Sequence, residues 1–192
     1  MEICPIGYNK YLEEVKQNGY ALDDVPVEYK TEELCKIAVT QHGRALEYVP
    51  DEYITEELVK IAIHENGCAL HYVPTKYITE ELCKLAVQQD GFALKYVPVV
   101  YITEELVKIA VKHFGYALEY VPSEYITEEL CKLAVTQHGY ALQFVPIKYR
   151  TEELIFIAQQ TRLYTDDNPT ELTKKIFIIY ETMGDYHGNM SI

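Results

Sequence analysis

The reactive side chains of this sequence are five cysteines, six histidines and a run of paired glutamates. Thiols bind metals, form disulfides or act as nucleophiles when their surroundings favour the thiolate. Cys4, Cys35, Cys68, Cys83 and Cys131 contain no C-x-x-C pair, and an odd count makes a poor disulfide framework. Cys35, Cys83 and Cys131 occupy one column, in which Val59, Val107 and Ile155 alternate with them. A position that accepts valine asks for a small apolar group, so these three are expected as buried structural thiols. Cys68 falls in a variable column and is expected at the surface.

A metal site needs ligands clustered at defined spacing. His42 and His138 share a column but stand four copies apart, and His64, His71, His113 and His187 follow no ligand spacing. His42 and His138 read as helix C-terminal histidines favoured by the dipole. Adjacent carboxylates such as Glu32-Glu33 and Glu56-Glu57 suit acid–base chemistry. They recur in every copy, whereas an active site needs a singular place. They read instead as first-turn acids, with Glu32 and Lys36 at i,i+4 spacing and the same pair repeated down to Glu128 and Lys132. No phosphate-binding glycine loop, nucleophile elbow or zinc motif occurs. The expectation is a protein without catalytic activity, resident cofactor or metal.

What positions these residues is a repeat. Gly falls at 19, 43, 67, 91, 115 and 139, Pro at 26, 50, 74, 98, 122 and 146, and Tyr at 29, 53, 77, 101, 125 and 149. Each series steps by 24 residues. The unit is Thr-Glu-Glu-Leu-(Cys/Val)-Lys-(Ile/Leu)-Ala-Val-x-x-x-Gly-x-Ala-Leu-x-Tyr-Val-Pro-x-x-Tyr-Ile. Clear copies start at Thr31, Thr55, Thr79, Thr103 and Thr127, and a decayed copy without the glycine starts at Thr151. The Cys/Val alternation and the close match of residues 31–78 to 79–126 show a duplicated two-copy block.

Each unit predicts one helix and a shorter one. Thr31 is an N-cap, Glu32 and Glu33 favour the positive end of the helix dipole, and Leu34, Ile37, Ala38 and Gln41 keep helical spacing. Gly43 is placed to stop the helix in the left-handed C′ conformation. Ala45, Leu46 and Val49 form the second stripe, and Pro50 ends it. Helices are expected near 32–42, 56–66, 80–90, 104–114 and 128–138. The apolar arc of the first helix spans roughly 200°, twice that of a helix on a two-layer surface. Stacking between equivalent neighbours accounts for the excess. The fold class is therefore all-α, an α-solenoid of one continuous domain. Residues 1–30 form a degenerate N-terminal repeat or cap, residues 31–162 the tandem repeats, and residues 163–192 a C-terminal capping helix and tail. That last helix is marked by Pro169 in its first turn, by Leu172, Ile176, Ile179, Tyr180 and Met183 on one face, and by Gly184 at its end.

The pattern Gly-x-Ala-Leu-x-Tyr-Val-Pro-x-x-Tyr, followed by an acidic, apolar helix ending in Gly, resembles an uncharacterised family of short tandem helical repeats. Such repeats occur in protist, giant-virus and some bacterial proteins. The resemblance covers residues 16–162. It implies an α-helical repeat, and it carries no agreed activity.

The tyrosines sort by column. Tyr48, Tyr72, Tyr96 and Tyr120, like Tyr29 to Tyr149, scarcely vary and read as packing between repeats. The column after glycine does vary: Tyr20, Arg44, Cys68, Phe92, Tyr116, Tyr140. So does the column three residues later: Asp23, Glu47, His71, Lys95, Glu119, Gln143. Variation between copies of one chain points to solvent exposure, and aromatics with Arg are the residues of binding hot spots. Arg44, His71, Phe92, Lys95, Tyr116, Glu119 and Tyr140 are thus the candidate protein-binding residues.

The chain of 192 residues is 48% hydrophobic and 24% charged, a globular composition, with a formal net charge of −13. That charge argues against direct contact with nucleic acid or anionic membrane, and no apolar run reaches the roughly 18 residues of a membrane span. The N-terminal residues lack signal-peptide features. The expectation is a soluble, cytoplasmic binding module, adaptor or stoichiometric inhibitor whose partner is another protein, one with a basic surface or a second copy of the chain. The alternative is an acidic mimic of nucleic acid, such as a viral anti-defence protein, that inhibits a basic nucleic-acid-binding enzyme.

Overall fold

In a computed structural model, residues 5–165 are described. Seven α-helices follow one another: α1 (Pro5–Gln17), α2 (Glu32–Gln41), α3 (Glu56–Glu65), α4 (Glu80–Gln89), α5 (Glu104–His113), α6 (Glu128–Gln137) and α7 (Glu152–Thr165). Each packs on the next, and no strand occurs among the described residues. The chain is an all-α solenoid, and the five expected helices lie where the period put them. The proposed helix after Pro169 lies outside the described residues.

Every full copy repeats the same local logic. The Thr31 hydroxyl accepts from the Leu34 N–H at 3.2 Å, and Thr55, Thr79, Thr103, Thr127 and Thr151 cap their helices identically. The α-helix then runs ten residues and stops, because the next residue swings to extended backbone, as His42 does at φ −144°. The shorter helix is a 3₁₀-helix of six residues, Gly43–Tyr48 in this copy, and a further 3₁₀ turn follows the proline, Asp51–Tyr53. Residues 5–30 share this plan, with α1 followed by 3₁₀ segments at Gly19–Leu22 and Val27–Tyr29. The N-terminal segment is thus a structurally complete repeat whose capping threonine and acids have been lost.

The glycine does different work from the one its position suggested. No glycine among the described residues has positive φ, so Gly43 is not a left-handed C′ stop. It opens the 3₁₀-helix, and its Cα lies against the carbonyl of Ala62 in the following repeat, where an added Cβ would collide with that oxygen. Gly19, Gly67, Gly91 and Gly115 meet Ala38, Ala86, Ala110 and Ala134 in the same way. All five alanines are fully buried. The paired columns of Gly and Ala bring successive repeats to backbone contact, and the side-chain volume there has to be near zero. Leu163 stands where the glycine would fall, and α7 runs on through it to Thr165.

The core is a continuous apolar seam. Leu34, Cys35, Ala38, Val39, Ala45, Leu46 and Val49 are buried in one copy, and the same columns are buried in the next three copies, while Leu142 and Ile155 towards the end of the stack are half-buried. Ile37, Ile61 and Ile109 are half-buried at the edge of the seam. Each fully buried Leu or Val contributes about 1.5–3 kcal/mol. The described residues bury no polar or charged side chain.

Candidate functional site

The solenoid presents two long surfaces, one made by the α-helices and one by the 3₁₀-helices. On the helix side the acids and lysines form a ladder. Lys36 reaches Glu57 at 2.8 Å, Lys84 reaches Glu105 at 2.8 Å, Lys108 reaches Glu129 at 3.4 Å and Lys132 reaches Glu153 at 2.6 Å. These pairs cross from one repeat to the next and correct the expected i,i+4 pairing, which forms only at Glu56–Lys60 (2.6 Å) among these lysines. The longer lysine stem spans the groove between helices, where a second repeat offers a glutamate at the same height. Hollows of about 30–40 Å³ remain beneath the crossing pairs. Where Lys60 turns back, the groove between α3 and α4 opens to about 700 Å³ over Val59, Tyr77, Leu82 and Leu85. Tyr53, Tyr101, Tyr125 and Tyr149 also line these helix-side grooves. The hydroxyl of Tyr77 donates to the Ile54 carbonyl at 2.7 Å, consistent with the packing role read for that column.

The thiols sit within this frame. Cys35, Cys83 and Cys131 are fully buried and free, and burial pushes each up to about 11. They are structural, as the valine alternation suggested. Cys68 is half-buried rather than exposed, and its Sγ donates to the Asp90 carboxylate at 3.0 Å. Burial, reinforced by that carboxylate, pushes the Cys68 thiol up to about 12.

The residues before the glycines are junction pieces. Nδ1 of His42 accepts from the Gly19 N–H at 3.2 Å, and Nδ1 of His138 accepts from the Gly115 N–H at 3.1 Å. Each histidine stands, as expected, at the C-terminus of its own α-helix and in addition caps the 3₁₀-helix of the preceding repeat. An accepting Nδ1 places the ring proton on Nε2. Asn66 and Asp90 solve the same problem locally, accepting from Cys68 N–H and Phe92 N–H two residues on, both at 2.9 Å.

The 3₁₀ side carries an aromatic ladder. His71 lies against Tyr72 at 4.9 Å and Tyr96 at 4.7 Å between ring centroids. Phe92 meets Tyr96 at 6.1 Å, Phe114 at 5.9 Å and Tyr120 at 5.5 Å, all edge-on. Phe114 passes the chain of contacts to Tyr116 at 5.4 Å, and Tyr116 continues it to His138 at 5.0 Å and Phe144 at 6.3 Å. Offset and edge-to-face rings at these distances attract one another through their quadrupoles. At the other end Tyr20 stacks on His42 at 4.6 Å.

Charges stand over this ladder. Arg44 donates to the Tyr72 hydroxyl at 3.1 Å and lies 5.8 Å from that ring's centroid. The ammonium of Lys95 lies 5.5 Å from Phe92, 5.8 Å from Tyr96 and 5.5 Å from Tyr120. Burial pushes the Tyr120 phenol up, and its hydrogen bond to the Glu119 carboxylate adds to the rise. Burial also raises the Tyr48 phenol, with the Glu47 and Asp23 carboxylates behind it.

Of the seven candidate residues, Arg44, His71, Lys95, Glu119 and Tyr140 are exposed. Phe92 and Tyr116 are half-buried, a correction to the free strip expected from column variability. They pack on the pre-glycine residue of the next repeat, Phe114 or His138, so they do not form a simple row of projecting rings. Phe92 and Lys95 come together directly, whereas Phe92 and Tyr116 connect through Phe114. Sequence reasoning missed Tyr72, Tyr96, Tyr120 and Phe144 as part of this surface. Their near-invariance signalled packing, and a half-buried ring both packs and shows a face to solvent. The register held the clue: the residues four after each post-glycine position are these rings.

The stacked helices, the glycine–alanine junctions and the two surfaces define a tandem-repeat α-solenoid. A family described as a domain of unknown function (DUF4116) matches residues 12–54, 55–100 and 103–156, most of the chain, and the chain belongs to it. Each matched segment spans about two of the 24-residue copies, the same doubling that the Cys/Val alternation displays. No curated protein and no solved structure matches the chain.

Proposed function

We propose that this protein is a binding module without catalytic activity, an adaptor or stoichiometric inhibitor that holds another protein along its 3₁₀ face. The observation that carries this reading is the aromatic ladder with exposed, copy-specific charges above it. The rings from Tyr72 to Phe144 are in contact from repeat to repeat, and Arg44, His71, Lys95 and Glu119 stand over them. Rings already ordered by packing lose little entropy on binding, and Tyr and Arg dominate binding hot spots. A solenoid extends such a surface along its whole length. The net charge of −13 favours a partner with a basic surface.

Mimicry of a nucleic acid draws less support. The helix-side glutamates are cross-linked by lysines, and helices step about 8–10 Å apart against about 3.4 Å for phosphates along a strand. No helix among the described residues is long and apolar enough to cross a membrane.

The test is affinity capture from the cell of origin, with partners read by mass spectrometry. The native chain is compared with a variant carrying serine at positions 44, 71, 95 and 119. All four side chains are exposed, so thermal stability should stay close to native while face-dependent partners disappear from the catch. A catch unchanged by the variant places binding elsewhere, at exposed turn residues such as Asp51, Glu52, Thr75 and Lys76.

A further inference from the structure

Resting on the binding-module reading, we propose that the slot walled by Tyr116, Tyr120 and Phe144 and bearing Glu119 receives a lysine or arginine side chain from a basic, extended partner segment. The reason lies one repeat earlier. There Phe92, Tyr96 and Tyr120 surround the Lys95 ammonium, with all three ring centroids within 5.8 Å of it. A cation so placed is attracted by the negative faces of the rings. The chain's own lysine therefore displays what the slot between successive 3₁₀-helices accommodates.

The next slot keeps the walls and reverses the charge. Tyr116 replaces Phe92, Tyr120 takes the position of Tyr96, and Phe144 that of Tyr120. One pair of walls keeps its edge-on geometry: Phe92 and Tyr120 meet at 5.5 Å and 88°, and Tyr116 and Phe144 meet at 6.3 Å and 77°. Beyond the Phe92-to-Tyr116 and Tyr120-to-Phe144 exchanges, the resident changes from Lys95 to the exposed Glu119. Three ring walls and a carboxylate form a site for a cation supplied from outside. Arg44 over Tyr72 at 5.8 Å shows a cation taken by the same ring column two repeats before.

Electrostatics favour the occupant. Repulsion from Lys95 acts across about one repeat, 8–10 Å, while Glu119 acts at about 4 Å, so at equal screening the attraction is about twice the repulsion. An extended chain advances about 3.3–3.6 Å per residue, so one repeat corresponds to about three residues of partner. A lysine at every third position therefore offers the Glu119 slot a side chain in more than one register, and keeps a second lysine in step with the preceding slot once Lys95 is removed.

The experiment uses the full chain and a fluorescent peptide of three Gly-Gly-Lys units, with its lysine-acetylated counterpart, read by fluorescence anisotropy at low salt. The unmodified peptide should bind, and acetylation should weaken it about tenfold or more. Glu119→Lys should weaken binding about tenfold, and Glu124→Lys, the same charge change at an exposed turn, should weaken it much less. Lys95→Glu gives the preceding slot the chemistry of its neighbour and should tighten binding several-fold, a gain that misfolding cannot produce. Equal binding of acetylated and unmodified peptide overturns the proposal. So does an equal response to Glu119→Lys and Glu124→Lys, or an affinity indifferent to Lys95→Glu. A protein partner lost from the four-serine variant but indifferent to Glu119→Lys sinks the cation slot alone. A catch unaffected by the four-serine variant sinks the binding-module reading itself.

Discussion

The helix side and the 3₁₀ side grow from the same 24-residue unit, yet they treat its copies differently. On the helix side the same residue does nearly the same work each time: threonine caps, lysine reaches the next glutamate except at Lys60, and leucine, cysteine or valine fills the seam. On the 3₁₀ side the backbone and the buried Ala and Leu repeat, while the residues above them change: exposed Arg44 and half-buried Cys68, Phe92 and Tyr116 in one column, exposed Glu47, His71, Lys95 and Glu119 in another. Stacking demands that the buried columns and the glycine–alanine contact stay constant, because a mismatch at one of those junctions is paid for at both of its repeats. The pre-glycine and post-glycine columns vary even where they touch a neighbouring copy, as His42, Phe92 and Tyr116 do. The glycine–alanine contact is the strictest of these demands, and the long α7, which lacks the glycine, shows how the repeat ends when it is dropped.

Breaking a junction should have the largest effect. Gly91→Ala would set a Cβ 2.5 Å from the Ala110 carbonyl oxygen, and backbone on both sides must move. A loss of about 3 kcal/mol is expected, close to 10 °C in melting temperature for a chain of this size, measured by circular dichroism. Next come the half-buried rings. Phe92→Ala and Tyr116→Ala should each cost about 1–2 kcal/mol in urea unfolding, and Tyr140→Ala, at an exposed ring, less than about 1 kcal/mol.

The thiol column sharpens the comparison through pH. Cys35, Cys83 and Cys131 are raised from an ordinary 9.0 to about 11 in the folded chain. Below pH 9 the thiols are protonated in both states and the column adds no pH dependence. As pH rises from about 9 to about 11 the unfolded chain loses these protons first, so stability falls. Changing all three to Val should keep the fold, as Val59 and Val107 do, and should make the alkaline loss measurably shallower. The smallest effect belongs to the ladder. Lys84→Ala removes an exposed ion pair and should leave the melting temperature almost unchanged, with any loss shrinking further at high salt.

Much of this was legible in the sequence because tandem copies act as an internal control. The 24-residue step placed five helices, the Thr caps and the buried cysteines, since each depends on local capping or on an apolar period. What escaped depends on contacts between copies. Gly43 looked like a left-handed stop because that is the commonest local use of glycine at a helix end; its reason is the Ala62 carbonyl of the next repeat. Lys36 had a partner four residues away in sequence and took one 21 residues away instead. His42 and His138 were placed at helix C-termini, where they stand, but their cap on the repeat before them was not legible. The candidate face was half legible: the charged column was found, while the rings beneath it were hidden by their own regularity.

In the proposed binding mode partners meet the varied 3₁₀ face, while the helix side, regular except at Lys60, holds the stack. Two tyrosine columns report on the two sides within one molecule: Tyr72, Tyr96 and Tyr120 in the aromatic ladder, and Tyr53, Tyr101 and Tyr125 in the helix-side grooves. Hydroxyl-radical footprinting with and without a captured partner reads both at once. The account predicts that Tyr72, Tyr96, Tyr120 and the neighbouring Tyr116 lose reactivity when the partner is bound, while Tyr53, Tyr101 and Tyr125 keep theirs. Protection of the helix-side column, with the ladder unchanged, would contradict it.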